Sequence, residues 1–329
     1  MILREFASNQ PYVLISVPLV VLGILMPSLW LPSIAIVQAD FPVDSLFEVF
    51  YSSPKGAIIG AMLLITGGSF ISNAVFNRHE FFNVPSYVPA LMYAVIGGTM
   101  TLYQLSIPAL VASIFVLLGL NKQMQIFRQT RVLSESFEAG FWYGMAAVCF
   151  PPFICLLAGA WIAILITRAF NWREHLLLLL SFSVPFIYWI VWKYWIDELN
   201  DLILFRKIVS YDGPELSFIK PWTDQLFLLT VAVAFVFAIP RYLFLKDRIS
   251  NKAGSVKNIF FSIALSLIAS FVMSYFLVSQ WILLTTLVPV TFIVGYWFTN
   301  YRYSLVAPFV FYGLMLSCVL SVLFHYGVF

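Results

Sequence analysis

Charge is what this 329-residue chain has least of: 10% of its residues are charged against 62% hydrophobic, where a soluble domain carries roughly 25% charged residues. So little polar material cannot cover a water-facing globule. The marks of the common catalytic classes are missing too. There is no Walker loop, no dinucleotide fingerprint and no nucleophile elbow. The three histidines, His79, His175 and His325, lie far apart without ligand spacing, so no metal site is read from them. The three cysteines, Cys149, Cys155 and Cys318, sit inside apolar segments with no CxxC pattern and imply neither a disulfide nor a metal. A net charge of +3 is too small to point to nucleic acid. Carboxylates and bases are nearly absent from the middle of the apolar runs, which weakens a transporter reading, because ion and proton pathways place them there.

What the chain has instead is long apolar runs. Segments 227–239 and 259–271 are apolar on every helical face, whereas the strands of a membrane β-barrel alternate apolar and polar residues. The expected fold is therefore all-α, a polytopic bundle of transmembrane helices forming a single membrane domain over residues 1–329. At about 20 residues per crossing, there is room for about ten or eleven helices. Clear crossings are 12–31, 56–76, 176–192, 225–241, 258–279, 281–299 and 304–326. Two longer stretches are broken. Residues 85–120 read as two short helices turning near Gln104, and 139–167 carry the pair Pro151-Pro152, which no regular helix accommodates. The second stretch is either one kinked helix or a tight hairpin.

The basic residues choose between these. With the N-terminus cytoplasmic and a hairpin at Pro151-Pro152, thirteen of the 18 Lys and Arg residues fall on the cytoplasmic side, as the positive-inside rule requires. A single crossing would put the basic stretch 241–257 outside. The hairpin gives eleven crossings, with the C-terminus periplasmic in a bacterial inner membrane. Two outer loops follow. The first, 33–55, holds Asp40, Asp44 and Glu48 and an amphipathic stretch, 43–51, suited to an interfacial helix. The second, 195–222, holds Arg206 and Lys207.

These loops supply the candidate site. No cofactor is expected from the sequence, although Asp40 and Asp44, which could act as a general acid or base, could also hold a divalent cation. Arg206 and Lys207 could contact a lipid phosphate, although a salt bridge to Glu198 or Asp201 is an equal alternative. On the cytoplasmic side, Arg78, His79 and Glu80, and Arg173 with Glu174, could contact a lipid head group or a partner protein. Against that stands a simpler role, the fixing of helix ends by snorkelling charge.

The stretch Glu-Ala-Gly-Phe-Trp-Tyr-Gly-Met-Ala at 138–146, the Pro151-Pro152 pair and Arg-Ala-Phe-Asn-Trp-Arg-Glu at 168–174 resemble a multi-span inner-membrane family of Bacteroidota. So do Asn77-Arg78-His79-Glu80, Pro-Ala-Leu-Met-Tyr at 89–93 and Ser-Ile-Pro-Ala-Leu at 106–110. The resemblance covers roughly residues 70–195 and implies no agreed activity. Some members carry the label of carotene-cleaving oxygenase, but such enzymes need four iron-binding histidines and this chain has three. More distantly, the chain is similar to the membrane module of GT-C glycosyltransferases, through its acidic first outer loop, its short paired helices and the pattern Ala139, Gly140, Gly144, Ala146. That resemblance implies a polyprenyl-phosphate-linked sugar or lipid carrier as substrate, with Asp40 or Asp44 catalytic. It departs from those enzymes in having no second acidic signature and no soluble C-terminal domain. The alternative is a non-enzymatic subunit that anchors another inner-membrane protein through loops 77–84, 121–137 and 241–257.

Overall fold

A computed structural model describes residues 11–30, 53–79, 85–126, 132–168, 170–197, 222–244, 251–278, 282–299 and 306–325. These form eleven α-helices: α1 Pro11–Leu25, α2 Pro54–Arg78, α3 Val88–Tyr103, α4 Ile107–Gln125, α5 Leu133–Cys149, α6 Leu156–Thr167, α7 Trp172–Trp195, α8 Trp222–Phe244, α9 Asn251–Val278, α10 Leu287–Thr299 and α11 Val306–His325. The expected all-α bundle is what the chain forms. Six of the helices are long and apolar enough to cross a membrane, and shorter apolar helices at Val13–Leu29, Val88–Tyr103, Pro151–Thr167 and Leu283–Thr299 accompany them.

Local chemistry sets several boundaries. Ser53 caps α2 by accepting from the Gly56 amide at 3.0 Å, and Ser106 caps α4 by accepting from the Ala109 amide at 3.4 Å. Each spares an orphan donor at a helix start. Pro54 and Pro108 occupy the first turns, where a missing N–H costs nothing. The break near Gln104 lies where expected: Gln104 is extended (φ −154°, ψ 98°), α3 stops at Tyr103 and α4 starts at Ile107.

Pro151-Pro152 open a 3-10 turn, Pro151–Cys155, between α5 and α6. Whether it reverses the chain follows from the neighbours of α5. Gly140 faces Leu178 and Ser181, and Gly144 faces Phe182 and Pro185. Rising numbers pair with rising numbers, so α5 and α7 run parallel and α6 must return between them. The turn is a hairpin. The same test gives alternating directions elsewhere. Gly68 and Gly97 pair α2 antiparallel to α3. Thr230–Ser317 and Asp224–Ser321 pair α8 antiparallel to α11. Thr99–Cys318 and Tyr103–Ser321 pair α3 parallel to α11. The bundle therefore has two ends, named here for His79 and His325.

The centre of the bundle is α3 and α10. Every residue of α3 is buried, as is α10 from Leu287 to Phe298, which is where a helix apolar all round belongs. Around them α2 packs on α3 and α4, α5 on α4 and α7, α6 on α9, and α8 on α10 and α11. Small residues let backbones close. Ser262, Ser266, Ser270 and Ser274 recur every fourth position of α9, buried, and Gly159 of α6 lies directly against Ser266. Small-residue seams of this kind drive helix association in lipid, where apolar burial gives little net force. Of the pattern Ala139, Gly140, Gly144 and Ala146, all four buried, Gly140 and Gly144 lie directly against α7.

Candidate functional site

One polar cluster stands out at the His325 end. Asp224 is in the first turn of α8, and His325 closes the last turn of α11. Both placements suit the helix dipole, an acid at the N-terminus and a base at the C-terminus. Because α8 and α11 are antiparallel, they bring those termini together. The parallel course of α3 brings Tyr103 to the same level. Ser321, one turn before His325, shares its helix face.

Asp224 is 1% exposed, a depth at which a carboxylate needs hydrogen-bond donors. Its Oδ1 accepts from Ser321 Oγ at 2.9 Å and from Thr223 Oγ1 at 3.4 Å. Ser321 has one hydroxyl hydrogen, and it is given to the carboxylate. At the 3.0 Å contact between Tyr103 and Ser321 the phenol must then be the donor. The direction is fixed: Tyr103 donates to Ser321, which donates to Asp224. His325 Nδ1 lies 3.0 Å from the Ser321 carbonyl and 3.7 Å from Asp224 Oδ1. Donation to that carbonyl puts the neutral imidazole's proton on Nδ1 and its lone pair on Nε2. The Tyr103 and His325 rings are 5.8 Å apart. Deeper, Thr99 meets Cys318 at 3.1 Å and Thr230 meets Ser317 at 2.9 Å. From His325 to Ser317 this polar track enters the bundle by about 12 Å at 1.5 Å per residue. A carboxylate and a phenol joined through one hydroxyl, with an imidazole 3.7 Å from the carboxylate, can take up, hold and return a proton.

The cluster escaped the sequence. An apolar run from residue 225 leaves Asp224 in the preceding loop, whereas the helix begins at Trp222 and takes the acid inside. The only signals were an acid and a histidine at the borders of two apolar runs, and nothing in a single sequence pairs them.

The expected site residues fall differently. Asp40, Asp44, Glu80, Arg206 and Lys207 lie outside the described residues. The helix ends that their segments join can still be located. Residues 31–52 connect the end of α1 to the start of α2, and 198–221 connect α7 to α8, both at the His325 end. At the other end, Arg78 is exposed, while His79 is buried and its Nε2 meets Asn121 Oδ1 at 2.9 Å, tying α2 to α4. Its neighbour Asn77 clamps the α2–α3 connection through Ser86, donating to the carbonyl and accepting from the amide, each at 3.2 Å. Arg173 is exposed, with its guanidinium 5.9 Å from the Trp172 ring centre. Glu174 turns inward: Asn171 caps α7 through the Arg173 amide at 3.3 Å and donates to Glu174 Oε1 at 3.2 Å. The structure thus brings Arg173 and Glu174 to one helix start but points them apart.

Among the described residues no group of three or more His, Cys, Asp or Glu side chains could hold a metal ion. No protein-family model matches the chain, and neither a curated protein nor a solved structure is similar to it.

Proposed function

We propose that this multi-span membrane protein resides in a bacterial inner membrane, N-terminus cytoplasmic and C-terminus periplasmic, and acts on a polyprenyl-phosphate-linked sugar or lipid carrier at the outer face. The observation that carries the reading is the buried Asp224 relay at the end to which the segments holding Asp40, Asp44, Arg206 and Lys207 attach. Transfer from a lipid phosphate requires two chemistries. A base must take the proton of the acceptor hydroxyl as its oxygen bonds to the sugar carbon. Cationic groups must meet the charge of the leaving polyprenyl phosphate as the carbon–oxygen bond to phosphate breaks. In this reading Asp40 or Asp44, with the Asp224 relay, supplies the base, and Arg206 with Lys207 the cations. The orientation rests on the sequence, in which thirteen of the 18 Lys and Arg residues fall in segments read as cytoplasmic.

The test is transfer of a radiolabelled sugar from a polyprenyl-phosphate donor by the purified full-length protein in lipid. Asp224→Asn should lower turnover by a factor of about 100 or more, in the range typical of a lost general base, with donor binding retained. The double variant Arg206→Ala, Lys207→Ala should weaken donor binding instead. Full in vivo function of well-folded Asp224→Asn, Asp40→Asn and Asp44→Asn variants would overturn the enzyme reading. If neutralising the bases of 241–257 then released a co-purifying membrane protein, the scaffold reading would replace it.

A further inference from the structure

A second polar group lies at the opposite end, where α6 turns into α7. His175 is 3% exposed, yet neither ring nitrogen has a hydrogen-bond partner. Its ring lies between two others: Trp161 of α6 stacks at 5.5 Å and Phe170 of the connecting turn at 5.0 Å. Beside it, Glu174 Oε2 and Arg168 Nη1 are also buried without a hydrogen bond. Arg168 Nε stands 3.7 Å from that carboxylate oxygen, close enough for attraction but not for a hydrogen bond. Each orphaned group costs about 1–3 kcal/mol of desolvation. Four such atoms within eight residues need a partner that satisfies them together.

The polarity of the gap identifies that partner. Arg168 Nη1 donates only, Glu174 Oε2 accepts only, and imidazole offers one of each. The missing partner must therefore carry acceptor oxygens and N–H or O–H donors within a short span. The position narrows it further. The group sits at the first turn of a helix long and apolar enough to cross a membrane, at the level where head groups lie. Its cover is thin, since Phe170 is itself 71% exposed. Arg168 and Glu174 bring one charge of each sign, which suits a ligand with an anionic and a cationic part.

We infer that Arg168, Glu174 and His175 form a receptor for a phosphoethanolamine head group, its phosphate on Arg168 and the imidazole and its ammonium on Glu174, with Phe170 as the movable cover. This is independent of the outer-face chemistry, since it uses other residues at the other end of the bundle.

The experiment measures the thermal midpoint of the full-length protein in detergent, with phosphatidylethanolamine, phosphatidylcholine, phosphatidylglycerol or free phosphoethanolamine added. Wild type should gain several degrees with phosphatidylethanolamine and much less with the other two lipids. Phosphatidylcholine has no N–H for Glu174, and phosphatidylglycerol has no cation. Free phosphoethanolamine raising the midpoint equally would assign the same site to a soluble ligand and overturn the lipid assignment. His175→Phe keeps the ring stack and removes the orphaned nitrogens. It should hold or raise the midpoint without lipid, as replacing an unsatisfied polar group does, and lose most of the lipid-dependent gain. A purely structural histidine would leave that gain intact. His175→Phe responding like wild type, or equal shifts with all three lipids, would overturn the proposal.

Discussion

Two adjacent glycines of α2 give a sharp test of the packing. A Cβ built on Gly67 meets nothing within 4 Å, whereas one on Gly68 falls 2.6 Å from Tyr93 Cε1 and 2.8 Å from Cζ. Ordinary contact begins at 3.4 Å, so the ring would have to yield by about 0.8 Å. It cannot do so freely, because Tyr93 is fully buried and its hydroxyl is held by Ser113 at 2.7 Å. Gly68→Ala should therefore cost about 1–3 kcal/mol of overpacking and about 1 kcal/mol for the strained hydrogen bond. A total of about 2–4 kcal/mol is roughly a 30- to 700-fold rise in the unfolding constant at 1.4 kcal/mol per tenfold. Gly67→Ala should be neutral or stabilising by up to about 1 kcal/mol, since alanine is the better helix former. Equilibrium unfolding in mixed micelles measures both. In a Ser113→Ala background the tether is already gone, so the cost of Gly68→Ala should shrink by about 1 kcal/mol, a coupling that a double-mutant cycle reads directly. Equal stability of the two alanine variants would refute the placement of α2 on α3.

Other expectations concern single contacts. Asn77→Ala removes both hydrogen bonds to the Ser86 backbone and should cost about 1–3 kcal/mol, whereas exposed Arg78→Ala should stay within about 0.5 kcal/mol, both by thermal unfolding. Tyr143 donates to Gln123 Oε1 at 2.6 Å, and Gln123 in turn donates to the Ala160 carbonyl at 2.9 Å, joining α5, α4 and α6. Tyr143→Phe should cost about 1–3 kcal/mol through the orphaned oxygen, and adding Gln123→Leu should recover most of it. The proposed topology is tested through α4 and α7, whose C-terminal ends lie at opposite ends of the bundle. An impermeant thiol reagent applied to spheroplasts should label Asp212→Cys at once and Gln129→Cys only after permeabilisation. Labelling of both from outside would refute the hairpin at Pro151-Pro152.

The parts of this protein that were legible in sequence are those set within a few residues. The shortage of charge and the long apolar runs required a membrane bundle, because unsatisfied backbone in lipid leaves helices as the only structure for such runs. The breaks at Gln104 and Pro151-Pro152 were readable because a lost donor or a helix-breaking ring acts locally, and the distribution of bases favoured the hairpin that the parallel packing of α5 and α7 requires. Which faces meet was not readable. In lipid the outward face is as apolar as the core, so periodicity that would mark the buried side of a soluble helix carries little information. Only the tertiary structure showed that α3 and α10 are enclosed, and that His79 and Asn77 tie helices together. It also brought Asp224 to Ser321 across 97 positions, and left His175 walled by Trp161 and Phe170 with no hydrogen-bond partner. Such pairings depend on how eleven helices choose neighbours, through the close approach of glycines and serines that no single run reveals.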